Sequence, residues 1–231
     1  MHYRLLEAFR GSFEGCKYIH RNQGIGNFIA SHLYEDLLAV NRSPKFVSRV
    51  QADSEVVNTA NRIFGRKGRR GDGTFGQLIP GERAITEAGF LVHRGPIATL
   101  EIGAESKILA KAMIKQIDRV MSDLEGQAST FRRQNSRAIT VGLVGVNWSP
   151  VYTSYEGARE YPADPAPARE AAQAIERVQQ RVTSAFDELL ILSFRATNVS
   201  PYPFDWVDES QLRKEYSAAL LRISNEFEAR F

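Results

Sequence analysis

Over residues 97–109, charged and apolar side chains alternate. Glu101, Gly103, Glu105 and Lys107 take one parity and Leu100, Ile102 and Ala104 the other. Successive side chains of a strand point to opposite faces, so two carboxylates and an ammonium would share one face. Charges inside a domain are costly unless they are paired or bind metal, which makes this face a candidate for chemistry. Glu105 and Lys107 would lie about 7 Å apart along the strand. At that spacing a carboxylate can hold a divalent metal while the ammonium contacts a phosphate or a water. The plainer alternative is an edge strand with a solvated charged face.

A second charged stretch precedes it. Arg66, Lys67, Arg69 and Arg70 put four cations into five positions set among glycines. Glycines let backbone amides approach a phosphate, and arginines fork onto it; a solubilising surface loop is the competing reading. Asp72 stands where this loop meets the next apolar run, at 75–79.

The elements that must position these groups are read from periodicity. Residues 3–13 predict a short helix, and 23–27 a loop. The lone Gly24-x-Gly26 is no dinucleotide fingerprint, because no buried strand precedes it and the third glycine is missing. Residues 27–40 read as a helix capped by Asn27, with Phe28, Ala30, Leu33, Leu37 and Leu38 inward and Glu35 and Asp36 solvated. Residues 53–64 read as a second helix, with Val56, Val57, Ala60 and Phe64 inward. Residues 72–108, with apolar runs at 75–79, 90–92 and 97–102, read as a small antiparallel meander closed by the charged strand.

The 109–134 segment is an amphipathic helix: Leu109, Met113, Ile117, Val120 and Leu124 share a face, with Gln116 at its border. The unbroken apolar run 138–146 reads as a strand buried on both faces, usually parallel. Strand, helix and strand then make a right-handed crossover. A loop at 148–166, a helix at 166–185, a buried strand at 189–194 and a helix at 209–229 follow; the last either closes the domain or makes a dimer.

With 231 residues the chain is long enough for one domain with a full core. The formal net charge of +3 is compatible with a nucleic-acid partner but argues for it only weakly. One cysteine excludes an internal disulfide and a thiolate zinc site, and the four histidines have no metal-ligand spacing. No apolar run approaches membrane-spanning length and the N-terminus lacks a signal region; a cytoplasmic protein is expected.

A helix, a short meander ending in Glu105-x-Lys107, a crossover helix and an apolar strand together resemble the PD-(D/E)xK nuclease superfamily over residues 27–146. The resemblance implies an α/β fold, a restriction-endonuclease-like mixed sheet flanked by helices. It implies one nuclease-like domain over 1–231, with its core at 27–146 and a helix-strand-helix extension at 148–231. Carried over, Glu105 matches the second acidic position, Lys107 the lysine, and Asp72 the first aspartate. A glycine rather than a proline precedes Asp72, and thirty-three positions separate it from Glu105, so Glu82 and Glu87 remain rivals. Glu101 lies on the same face about 13 Å from Glu105 along the strand, too far for one metal to bind both easily; either Glu101 is the metal ligand, with Lys107 serving it from further down a bent strand, or it is accessory. Gln116 stands where many members place a polar helix residue facing the site, and Glu35 could take the supporting role of a first-helix glutamate.

The implied activity is that of a Mg²⁺-dependent DNA endonuclease, a restriction or defence enzyme being one form. Asp72, Glu105 and Glu101 would serve the metal, and Arg66, Lys67, Arg69 and Arg70 the DNA, in a homodimer. The chemistry stands without the name. Phosphodiester hydrolysis needs hydroxide at neutral pH and charge stabilisation at phosphorus, and a carboxylate-held metal supplies both. The alternatives are a non-catalytic nucleic-acid-binding or assembly protein on the same fold, and a plain interaction domain with a charged edge strand.

Overall fold

The computed structural model describes residues 2–20, 22, 24–63, 66–67, 71–157 and 159–231, with backbone alone for 59–63, 66 and 67. The chain opens with α1 (Arg4–Gly11), whose Leu5, Leu6 and Phe9 turn inward. The first N–H groups of a helix have no partner inside it. Here Asp36 accepts two of them, from Arg4 at 2.8 Å and Leu5 at 3.0 Å, and also the Tyr216 hydroxyl at 2.7 Å. Burial raises the Asp36 pKa above the ordinary carboxylate range, against the pull of these bonds. Its neighbour Glu35 accepts the N–H groups of Leu91 and Val92 and pairs with Arg4 at 3.0 Å. The expectation that both acids are solvated is corrected. Each is buried because it satisfies backbone donors brought to it from distant segments.

Both acids lie on α2 (Gly24–Val40), which begins three residues before Asn27, so Asn27 is not its cap. Ile29, Ala30, Leu33, Tyr34 and Leu37 face the core, while Phe28, predicted inward, is 47% exposed. The sequence-based reading has no counterpart to α3 (Pro44–Gln51). It starts with proline in its first turn, and the Ser43 hydroxyl accepts the N–H of Phe46 at 3.1 Å.

Residues 55–63 form strand β1 (Glu55–Ile63), not the helix predicted over 53–64. Val56 packs with Ile97, Leu100 and Phe131, whereas Val57 joins the core on the other side. That alternation suits β-branched residues. Phe64 lies outside the described residues. Then follow β2 (Arg66–Lys67), β3 (Gly73–Leu78) and the long β4 (Arg94–Leu109). Residues 90–92 form no strand; β3 pairs directly with β4 across a long loop.

Ala112, at φ +44°, separates β4 from α4 (Met113–Gln134). The remaining elements are β5 (Ile139–Asn147), β6 (Tyr152–Glu156), β7 (Arg159–Asp164), α5 (Pro167–Val182), β8 (Glu188–Ala196), β9 (Phe204–Trp206) and α6 (Glu209–Arg230). The β6–β7 hairpin occupies most of the predicted 148–166 loop.

The main sheet runs β2-β1-β3-β4-β5-β8-β9. β4, β5 and β8 are parallel, with antiparallel neighbours on either side, so the sheet is mixed. Every position of β5 is buried, as its apolar run predicts for a central parallel strand. Helices cover both faces. One core gathers α1, α2, α3 and α6 against Ile102, Ala104, Val141 and Leu143; the other packs α4 and α5 against Leu109, Val144 and Val146. The chain is therefore α/β, a mixed sheet flanked by helices, with α4 linking β4 to β5. α6 buries Leu212, Tyr216, Ala219, Leu220, Ile223 and Phe227 and so closes its layer. Among the described residues no helix is long and apolar enough to cross a membrane.

Candidate active site

β3 and β4 run antiparallel, with Gly73 opposite Ala104. Asp72, one residue before, therefore falls opposite Glu105 just where the ladder ends. Its Oδ2 accepts the Ser106 N–H at 2.9 Å, so a side chain continues the pairing that the backbone of β3 gives up. The first turn of α2 closes over this carboxylate: a Cβ at Gly26 would lie 2.7–2.9 Å from its three carboxylate atoms. A helix N-terminus carries partial positive charge and favours an anion beside it.

Glu105 and Lys107 share one face of β4. Lys107 Nζ donates to Glu105 Oε1 at 2.6 Å, with side chains 29% and 8% exposed respectively. Burial alone would lower the lysine pKa, but Glu105, then Asp72 and Asp123, outweigh it and raise it. The ammonium is thus held charged among three carboxylates. Lys107 pairs with Glu105, and Asp72, across the end of the ladder, acts on the lysine through its charge.

α4 returns over this face. The Phe131 ring packs on Gly103, where a Cβ would come within 2.6 Å of it. Four helical residues advance about 6 Å, nearly the rise of two strand residues. Counting back from Phe131 in these steps brings Gln127 toward Glu105 and Asp123 toward Lys107, and Asp123 does act electrostatically on the lysine. Gln127 is buried, and its Nε2 has no hydrogen-bond partner among the described residues. Sequence reasoning placed Gln116 here. That is corrected: Gln116 precedes Gln127 by eleven residues, about 16 Å along the helix. Anchoring the register on Phe131 over Gly103, instead of on the border of the apolar face, would have found Gln127.

Glu101 is the second correction. Phe75 pairs with Ile102 but Gly76 with Leu100, so Glu101 is bulged out of the ladder. The bulge turns it to the opposite face, where Arg49 of α3 donates to Glu101 at 3.1 Å and to Glu55 at 3.3 Å. Burial first, and then the Glu55 charge, raise the Glu101 pKa to about 7. It cannot serve a metal held by Glu105. Nor do the rivals of Asp72 compete, since Glu82 is exposed and Glu87 pairs with Arg94 at 2.6 Å. Glu35, bound to Arg4 and two backbone amides, is also absent from the site.

Of the basic stretch, Arg66 and Lys67 form the short edge strand β2, described by backbone alone; Arg69 and Arg70 lie outside the described residues. Among the described residues no group of three or more His, Cys, Asp or Glu could hold a metal ion. No protein-family model matches this chain, and no curated protein and no solved structure matches it.

Proposed function

We propose that this chain is a Mg²⁺-dependent DNA endonuclease on a restriction-endonuclease-like fold. The observation that carries the reading is that Asp72 stands across the end of the β3–β4 ladder from Glu105, bonded to the Ser106 N–H and acting electrostatically on Lys107, which pairs with Glu105. The donor set fits the metal: Mg²⁺ takes one or two carboxylates and completes its shell with waters and substrate phosphate. Asp72 and Glu105 would hold it, and it would supply an acidified water and a counter-charge for the phosphate.

The chain's own groups do the rest. Lys107, kept protonated by three surrounding carboxylates, gives a cation at the developing phosphate charge and orients the attacking water. Glu105 positions that ammonium. The start of α2 adds a positive dipole end beside the phosphate, and the Gln127 amide, buried with a spare donor, points to a substrate oxygen or ordered water. Arg66, Lys67, Arg69 and Arg70 lead directly into Asp72 and would meet the DNA backbone. A homodimer, a cytoplasmic setting and a restriction or defence role belong to the same proposal.

Supercoiled plasmid incubated with the protein and Mg²⁺ should be nicked, and EDTA should stop it. DNA that is bound but uncut with Mg²⁺ present would move the chain to the second reading, a non-catalytic nucleic-acid-binding protein. That reading draws support from the Lys107–Glu105 contact, which already occupies one carboxylate oxygen.

A further inference from the structure

The β6–β7 hairpin stands over the end of β4 that follows Lys107. Lys111 Nζ pairs with Glu156 at 3.1 Å, and the Ala112 N–H donates to Asp164 at 3.0 Å. Lys111 is four residues beyond Lys107, about 13 Å in extended chain. On the other side Tyr155 bridges to Ile19, in the segment that leads into α2, whose Gly26 lies against Asp72. A pocket of about 440 Å³ opens between hairpin and segment, lined by Lys17, Ile19, Tyr155, Gly157, Arg159 and Glu160. Pockets of about 300–1,000 Å³ hold small organic groups. Ile19, in the pocket lining, thus precedes by seven residues the Gly26 that lies against Asp72.

The surface of the hairpin, in and beyond this pocket, is neither apolar nor uniformly charged. Lys17 Nζ stands 4.0 Å over the Tyr155 ring, and Lys111 Nζ 5.2 Å over the ring of Tyr161, which is 40% exposed. Strand β7 is exposed along nearly its whole length, Arg159 included. An exposed aromatic ring among cations suits an unpaired polynucleotide strand, because a base can stack on the ring and the phosphates find positive charge. A continuous duplex hides its base faces and gains little here. Glu160 opposes a phosphate, but its contact with Lys17 is long, at 3.8 Å, and its side chain is 70% exposed. It yields at little cost.

We propose that the β6–β7 hairpin and Lys17 bind a single-stranded DNA segment next to the cleavage point, with Tyr161 stacking on a base and Lys17 and Arg159 meeting phosphates. Only the words "next to the cleavage point" rest on the nuclease reading.

Binding of a fluorescein-labelled oligothymidylate of about a dozen nucleotides, followed by anisotropy in EDTA, tests the site on the full chain. A blunt duplex is the reference. Tyr161→Ala should weaken oligothymidylate binding by about 5- to 150-fold and leave duplex binding unchanged. The double variant Lys17→Ala, Arg159→Ala should flatten the log–log salt dependence by about 1.4 units, and Glu160→Gln should tighten binding. These residues lie at the surface, and circular dichroism checks that each variant keeps its fold. A wild type that does not bind the oligonucleotide overturns the inference, as does a Tyr161→Ala loss that is absent or equal for the duplex. Plasmid nicking separates the two proposals. Wild-type nicking with hairpin variants binding normally sinks the hairpin site alone. Hairpin-dependent binding with no nicking by the wild type sinks the nuclease reading alone.

Discussion

Glu101 and Glu105 stand four residues apart in β4, each buried and each against one cation, yet the strand puts them to different uses. Glu105 follows the regular alternation. Its partner Lys107 is two residues along the same face, and Asp72 arrives from the neighbouring strand. Glu101 sits on a bulge and crosses to the other helix layer, where Arg49 divides itself between two carboxylates. Around Glu105 an ammonium is surrounded by carboxylates and stays charged. Around Glu101 burial first, and then a second carboxylate beside the shared guanidinium, push the acid toward the neutral form. The proposed metal site would need acids beside a cation; a contact that holds helix to sheet does not.

The largest effect should distinguish the two acids by activity. Lys107→Ala should lower plasmid nicking by about 10²- to 10⁴-fold while leaving DNA binding nearly intact, since the ammonium acts on the reaction more than on ground-state binding. Glu105→Ala and Asp72→Ala should lose both nicking and Mg²⁺ binding, followed by calorimetry. Glu101→Gln should nick like the wild type. If Glu101→Gln were as inactive as Glu105→Ala, the division between the two faces would collapse.

Stability should sort the pair in the opposite sense. Arg49→Ala leaves Glu101 and Glu55 buried without their cation, at a cost of about 3 kcal/mol, the low end for a broken buried pair because Arg49 is partly exposed. Urea denaturation at pH 8 reads this directly. Lys107→Ala should cost less than Arg49→Ala under the same conditions.

A finer probe is Gly26→Ala. Its methyl would meet the Asp72 carboxylate, the movable end of a side chain. The carboxylate should swing aside, weakening Mg²⁺ binding by about 10- to 100-fold, the usual effect of displacing a group that orients a ligand. The unfolding midpoint should barely move. An unchanged Mg²⁺ affinity would mean that Asp72 does not hold the metal from this position.

The smallest effect is a pH dependence. The Glu101 pKa is raised to about 7 in the folded chain, against an ordinary carboxylate value of 4.5 once unfolded. Between these values the folded state holds more protons than the unfolded one, so this group makes stability fall as pH rises. Its contribution is fully present below about pH 4.5 and lost by about pH 7. Glu101→Gln should remove that slope and gain about 1–2 kcal/mol over the wild type at pH 8. A wild-type curve that rises across this window while the variant's stays parallel would mean that Glu101 is ionised throughout.

How far these features were legible depends on how local their causes are. The 3.6-residue stripes of α4, α5 and α6 and the unbroken apolar run of β5 each carry their own structural preference, and all four formed close to their predicted bounds. The Glu105-x-Lys107 pairing was legible for the same reason: two residues along a strand return to the same face whatever lies around them. The 53–64 segment was not, because its valines satisfy a short helical stripe and a half-buried strand equally well. Pairing with β3 and β4 decided the matter.

The chain alone determined a mixed α/β protein and put a carboxylate and an ammonium on one face of its longest strand. Those outcomes follow from side-chain period and burial, which are properties of neighbours in sequence. Only the tertiary structure decided which other acids join them. Asp72 is one candidate among three in the sequence, and the β3–β4 register puts it opposite Glu105. Glu101 was removed by a bulge of one residue, and Gln127 replaced Gln116 because the register of α4 is set by Phe131 on Gly103. A bulge or a helix register is fixed by contacts between segments far apart in the chain, and such contacts leave no periodic trace in the residues that make them.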